Sequence, residues 1–321
     1  MLRRISSLLD TPPEVVALSF ARMADALGNS LLIIVLPLYI AQEPSPLLNL
    51  PTEFLVGLAI SLYGFLFALG QPITGRLSDR TGRRKPFILG GLALMAVATG
   101  GLMLAHRFLW IFLLRGLQGL GVALIVPAVM ALITTSTTTR MRGHAMGVYT
   151  TFRMAGFAMG PLLGGVIQVH LGFEAVFLVG GAFLVVAFVL VHLTVDEPSD
   201  PRVASATRVR DRASESRSFL PSPSILALMF ATVVLASSLS MISALENEFN
   251  ARLSQTAIGF GIAFSSLTVS RLFVQIPIGR WSDRIGRKKL IVGGLLALAP
   301  LTVLFGFVET TLQLVVLRLV Q

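Results

Sequence analysis

The sequence predicts an all-α membrane protein that crosses the bilayer many times, and three observations predict it. The chain is 54% hydrophobic and only 13% charged, with a mean hydropathy of +0.81, whereas a soluble domain carries roughly 25% charged residues. Its apolar residues fall in long runs separated by short polar stretches, each run near the ~20 residues that a spanning helix needs. Finally, a basic, glycine-punctuated stretch occurs twice. Gly75-Arg-Leu-Ser-Asp79-Arg80-Thr-Gly82-Arg83-Arg-Lys85 returns as Gly279-Arg-Trp-Ser-Asp283-Arg284-Ile-Gly286-Arg287-Lys-Lys289, with nine of eleven positions matching in identity or charge at an offset of 279 − 75 = 204. A long-range repeat of this kind means a duplicated architecture.

The elements follow in order. Residues 1–13 are polar. Span 1 covers about 14–40, too long and too polar within to be the core of a cleaved signal. Span 2 covers 53–73, span 3 covers 86–105, span 4 covers 108–134, span 5 covers 145–169 and span 6 covers 173–193. The composition then changes: residues 196–222 hold Pro198, Pro201 and five Arg and read as a solvated linker. Span 7 covers 223–244, span 8 covers 255–278 and span 9 covers 290–307, and span 10 begins near 311. The organisation is therefore a six-helix unit over 1–194, a linker over 195–222 and an incomplete second unit over 223–321, about ten helices in all.

A net charge of +10 raises nucleic acid as a partner, but the basic residues sit in short loops between apolar runs, which argues against it. With no cysteine and four scattered His, neither a disulfide framework nor a metal cluster is expected, and no cofactor is. Loop charge sets orientation. Arg3, Arg4, both repeat stretches, Arg140, Arg142 and the linker together place 19 Lys or Arg on one side, against Arg107 and Arg252 on the other. That side, with the N-terminus, is expected to be cytoplasmic.

Five Arg remain inside predicted spans: 22, 115, 153, 271 and 318. Each costs at least about 2.5 kcal/mol at membrane depth unless paired or hydrated. Arg22 and Asp25 are three apart and share a helix face. They read either as a self-neutralised pair near a helix end or as a working site. Asp25 lies about eleven residues into span 1, roughly mid-depth at 1.5 Å per residue, and is the only acidic residue deep in any predicted span. On span 4, Arg115, Gln118 and Gly119 share one face, and Gly116, Gly119 and Gly121 also suit close helix packing. On span 5, Gly156, Gly160 and Gly164 form a smooth ridge, Pro161 bends the helix, and Gly165 follows. No span offers a His pair, a Ser–His set or paired carboxylates, so the chain does not read as an enzyme.

The repeated stretch resembles the loop between helices 2 and 3 of major facilitator superfamily transporters, with its echo between helices 8 and 9. Leu114-Arg115-Gly-Leu-Gln118-Gly-Leu-Gly121 resembles that family's helix 4 motif, and Gly156-Phe-Ala-Met-Gly160-Pro161-Leu-Leu-Gly164-Gly165 its helix 5 antiporter motif. Leu27-Gly28 and Pro37-Leu38-Tyr39 are similar to the helix 1 pattern of twelve-helix drug–proton antiporters. The resemblance implies two pseudo-symmetric six-helix bundles around a central cavity, alternating between inward-open and outward-open states. It also implies proton-coupled efflux of small molecules, a monomer, and residence in the cytoplasmic membrane. It associates the helix 4 motif's Arg115, with Gln118, with proton coupling, and Asp25, paired with Arg22, is the candidate proton carrier on its own chemistry, as the only acidic residue deep in a span. The resemblance assigns Gly75, Asp79, Arg80, Gly82 and Arg83, and likewise Gly279, Asp283, Arg284, Gly286 and Arg287, to a gating loop. A sugar or organic-acid symporter, or a membrane receptor that transports nothing, are the rival readings. Aromatics such as Phe20, Tyr63, Phe65, Phe67, Tyr149 and Phe152, with Met154 and Met159, are candidates for an adaptable pocket or for lipid contact.

Arg318-Leu-Val-Gln321 repeats Arg115-Gly-Leu-Gln118 at an offset of 318 − 115 = 203. On the resemblance, the sequence stops inside the second copy of the helix 4 motif. It is expected to be a truncated product or fragment that inserts but does not transport by itself.

Overall fold

A computed structural model of the chain describes residues 6, 9–42, 50–138, 141–197, 223–254 and 256–321. Among these, every regular element is helical. This is the arrangement lipid imposes: the backbone N–H and C=O groups have no water to bond and must be satisfied within the segment.

Helix α1 (Pro13–Gln42) is apolar except for a few residues, Arg22, Asp25 and Asn29 among them, and is buried along most of its length. Helices α2 (Thr52–Thr81), α3 (Lys85–Gly101) and α4 (Phe108–Ser136) follow. The segment Arg142–Thr194 is 53 residues long. At 1.5 Å per residue that is about 80 Å, more than twice an apolar bilayer core. It turns at Gly172, whose backbone sits at φ 84°, ψ −179°, so it divides into α5 (142–171) and α6 (173–194). Helix α7 (Pro223–Ala244) is continued by a short helix, Glu246–Leu253, and then come α8 (Ala257–Ile285), α9 (Arg287–Leu304) and α10 (Thr311–Val320). Thr310 starts α10 with a reciprocal cap: its hydroxyl accepts from Gln313 N–H at 3.2 Å, and the Gln313 side chain accepts from Thr310 N–H at 3.3 Å. The predicted linker falls almost wholly outside the described residues, as do Ser45, Arg140 and Ser214.

The basic repeats differ from their expected form. Both read as loops in the sequence, yet α2 runs through Asp79 to Thr81 and α8 runs through Asp283 to Ile285. Nothing from Gly75 to Thr81 breaks the hydrogen-bond ladder. The stop is Gly82, in the left-handed conformation (φ 67°), whose N–H returns to Ser78 O. Gly286 stands at φ 96° at the matching place. Gly82 and Gly286 are therefore helix stops, Gly75 and Gly279 lie inside the helices, and Asp79 lies on the last helical turn of α2.

Two apolar clusters hold the first half together around α1, one built on Leu18, Leu92, Val129 and Leu184 and one on Leu31, Val56, Ile111 and Phe177. The Gly ridge of α5 seats directly on α1. A Cβ at Gly156 would strike Met23 O, one at Gly160 the Ser30 side chain, and one at Gly164 Leu31 O. Gly165 and Gly261 perform the same service between halves, where α5 meets Ala257, Ile258 and α8. A third cluster joins Ile34 of α1 to Ile242, Phe249, Phe260 and Phe264. Asn247 Nδ2 donates to Pro37 O at 3.1 Å. These contacts knit the halves at the end away from the basic repeats.

Candidate functional site

Polar chemistry at membrane depth begins on α1. Arg22 forms an ion pair with Asp25 through Nη1 and one carboxylate oxygen, Oδ2. Asp25 is 2% exposed, and its other oxygen, Oδ1, has no hydrogen-bond partner. Tyr149 and Arg153 of α5 lie within electrostatic reach of the pair. The Tyr149 hydroxyl is also buried without a partner. A buried, unsatisfied polar atom typically costs ~1–3 kcal/mol, so this cluster is not explained as packing.

One turn further along α1 stands Asn29, whose Oδ1 accepts from Arg115 Nη1 at 3.4 Å. Arg115 Nη1 also donates to Gln118 Oε1 at 3.0 Å, and Gln118 Nε2 donates to Thr99 Oγ1 of α3 at 2.9 Å. The Arg115 guanidinium lies 5.4 Å from the centre of the Tyr63 ring, within cation–π range. The string Asn29–Arg115–Gln118–Thr99 thus ties α1, α4 and α3 through amides and hydroxyls.

The sequence reading grouped Arg22, Asp25, Arg115 and Gln118 as one site, and the geometry divides them. Arg22 and Asp25 pair with each other, while Arg115 and Gln118 form a second centre. The cause is helical spacing: Asp25 and Asn29 are i and i+4 on α1, and each meets a different arginine. Tyr63 bridges them, with its ring over Arg115 and its hydroxyl in the field of Asp25.

The second half carries a copy. Arg318 Nη1 donates to Gln321 Oε1 at 2.8 Å, with the guanidinium 4.0 Å from the Phe264 ring centre. Gln321 approaches Ser238, which bonds Thr302 at 3.1 Å. Thr302 follows Thr99 by 302 − 99 = 203 residues, the offset of the arginines themselves.

At the basic end, Arg80 and Arg83 are exposed, whereas Arg84 is buried. The N–H groups of Arg84 and Lys85 both donate to Glu197 Oε1, capping the start of α3 with a carboxylate. Lys85 Nζ donates to His192 O at 2.8 Å, and Arg84 Nη1 reaches Thr135 Oγ1 at 2.9 Å. The α2–α3 turn is so fastened to α4 and α6. Glu197 was not singled out in the sequence; the available signal was an acid placed just before Pro198, at the end of a span. The side chains of Asp283, Arg284 and Arg287 lie outside the described residues, as does everything said of Gly279 beyond its place in α8.

Between the halves lies a cavity of about 260 Å³. Asn29, Tyr63 and Arg115 face it from the first half, and Ser240, Phe264 and Arg271 from the second. Of the sequence's aromatic candidates only Tyr63 lines it. Phe65 and Met159 are outward-facing, at 59% and 49% exposure, and Phe20 and Phe152 pack edge to face on one another. Phe157 and Phe264, and the inward direction of Arg271, were missed because nothing in one sequence reveals which face of a helix turns inward when both faces are apolar.

Among the described residues, seven or eight helices long and apolar enough to cross a membrane, two halves with matching arginine centres and a cavity between them define a polytopic, duplicated membrane protein. A family model described as Major Facilitator Superfamily matches residues 18–259 and 226–321, and the chain belongs to that superfamily. The chain is 32% identical over 246 residues to the multi-drug resistance efflux pump PmrA of Streptococcus pneumoniae, covering 74% of this chain and 60% of that protein. It is 30% identical over 298 residues to the multidrug resistance protein MdtG of Klebsiella pneumoniae, covering 90% and 70%. The chain thus spans about 60% of the length of the pneumococcal relative. Among solved structures it is similar to a bacterial homologue of the human lysosomal transporter Spinster, in an inward-facing and occupied conformation. That similarity has a TM-score of 0.77 at 19% identity, over 95% of this chain and 70% of the other.

Proposed function

We propose that this membrane core serves proton-coupled efflux of small molecules by alternating access, as a monomer in the cytoplasmic membrane with its N-terminus inside. The observation that carries the proposal is the position of Asp25. It is a buried carboxylate with one free oxygen, one helical turn from the Asn29 that faces the central cavity. A carboxyl that moves between a desolvated and a watered environment loads and releases a proton. Binding in the cavity reaches it through α1 and Tyr63. Repeat-built transporters place their substrate near the bilayer midplane and rock one half against the other. Here the joint lies at the end away from the basic repeats, which is the outer end if loop charge sets orientation. The relatives PmrA and MdtG, named for multidrug efflux and resistance, support small foreign molecules as the substrate class.

The test is ligand-linked proton release. The purified chain in weakly buffered detergent is titrated with a panel of drug-like cations, neutral molecules and anions. Binding of at least one compound with release of a proton, lost in Asp25→Asn, supports the proposal. Binding with no proton release, or no binding at all, contradicts it.

A further inference from the structure

The cavity between the halves has a chemical bias. Two guanidinium groups line it, Arg115 and Arg271, and among the described residues no carboxylate does. Arg115 is buried and finds only amide and aromatic partners, with its Nε unbonded. Arg271 makes no ion pair or hydrogen bond among the described residues, and it stands close enough to Arg318 for the two cations to repel. Arg318, fully buried against Phe264, leaves Nε and Nη2 unbonded. Two arginines therefore line one chamber and a third stacks on its Phe264 wall, while the buried carboxylate Asp25 is engaged by Arg22. Uncompensated cations at membrane depth are costly. The rest of the chamber is mostly apolar, with Leu32, Leu36, Phe157 and Leu267 on its walls, and its other polar side chains, Asn29, Tyr63, Ser240 and Thr268, are uncharged.

We infer that this cavity holds an amphipathic anion, its phosphate, carboxylate or sulfonate head between Arg115 and Arg271 and its apolar body along α1 and α8. Arginine suits the task because its planar donors engage such heads in pairs and it stays charged throughout. The inference rests on the small-molecule reading above and narrows it, since a cavity made for lipophilic cations would present a carboxylate, and the aromatic rings here, Tyr63, Phe157 and Phe264, already have Arg115, Arg153 and Arg318 stacked on them.

The experiment compares octyl phosphate, octanol and octylammonium at concentrations below micelle formation, each binding to the full chain in nanodiscs of zwitterionic lipid. Octyl phosphate is expected to bind about tenfold or more tighter than octanol, the order expected of one charge-assisted hydrogen bond, and octylammonium weakest. Arg271→Gln, which removes no hydrogen bond or ion pair among the described residues, should bring octyl phosphate to within about twofold of octanol, and Arg271→Lys, which keeps the charge and loses the planar donors, should restore only part of the gap. Equal or tighter binding of octylammonium, or an Arg271→Gln variant with unchanged preference, overturns the inference. Those results would leave proton-linked binding of other molecules standing, whereas loss of proton release would not touch the charge preference. A second arm adds phosphatidylglycerol to the nanodisc. Competition with octyl phosphate assigns the anion to a lipid headgroup, and lack of competition to a free solute; both keep the anionic site.

Discussion

Arg22 bonds one carboxylate oxygen of Asp25 and leaves the other unpartnered, in a part of α1 where water has been replaced by packed side chains. A pair made only for insertion would saturate both partners. This one is half saturated and faces the hydroxyl of Tyr149 and the charge of Arg153. It therefore has capacity to spare for a proton.

Asp25→Asn by itself should destabilise the protein, because it leaves Arg22 buried without its anion. Breaking one side of a buried pair typically costs about 3–5 kcal/mol. Arg22→Gln combined with Asp25→Asn should recover most of that loss while remaining without proton release. Thermal unfolding in detergent of the two single variants and the double variant checks this. An additive double variant would show that the pair does not act as one unit.

The glycine ridge gives a packing prediction. A Cβ at Gly160 collides with Ser30, whereas one at Gly90 or Gly147 meets nothing within 4 Å. Gly160→Ala is expected to cost about 1–3 kcal/mol, as overpacking does, and Gly90→Ala to be neutral or slightly stabilising. Ser30→Gly should relieve Gly160→Ala. Equal melting temperatures for Gly160→Ala and Gly90→Ala would remove the ridge from the account.

At the basic end the prediction shifts weight from exposed to buried charge. Glu197→Ala removes the carboxylate that holds the first N–H groups of α3, so protease should cut the α2–α3 turn at least several-fold faster. Arg83→Gln, on an exposed side chain, should leave the cutting rate unchanged. Asp79→Asn should weaken ligand-linked switching while leaving the protein inserted, since Asp79 ends α2 on its last turn. Equal protease sensitivity of Glu197→Ala and the parent would contradict the fastening role.

Orientation is open to direct labelling because the chain has no native cysteine. A single Cys at Ser214 should react with an impermeant maleimide only from the cytoplasmic side, and one at Ser45 only from outside. Labelling of both from one side would overturn the topology.

Much of the fold was legible because lipid makes the sequence simple: run lengths marked the spans, and the Gly75 and Gly279 repeats marked the duplication. Gly82 misled, since a glycine that stops a helix looks in sequence like a glycine in a loop. Spans 5 and 6 were separable because Gly172 interrupts them. The site was half legible. Charges inside spans, such as Asp25 and Arg115, stand out against an apolar background, but their pairing depends on helix rotation. Asn29 took Arg115 away from Asp25 on that ground. Arg271 shows the same limit: its charge was visible in the sequence and its inward direction was not.

The central claim is that Asp25 carries the proton, and infrared difference spectroscopy reads it without requiring transport. The chain in lipid nanodiscs is cycled between acid and alkaline buffer, with and without bound ligand. The account predicts a protonated-carboxyl band, of a frequency typical of a water-poor site, that comes and goes with pH, shifts on ligand binding, and is missing from Asp25→Asn. An identical band in Asp25→Asn, or one indifferent to ligand, would contradict it.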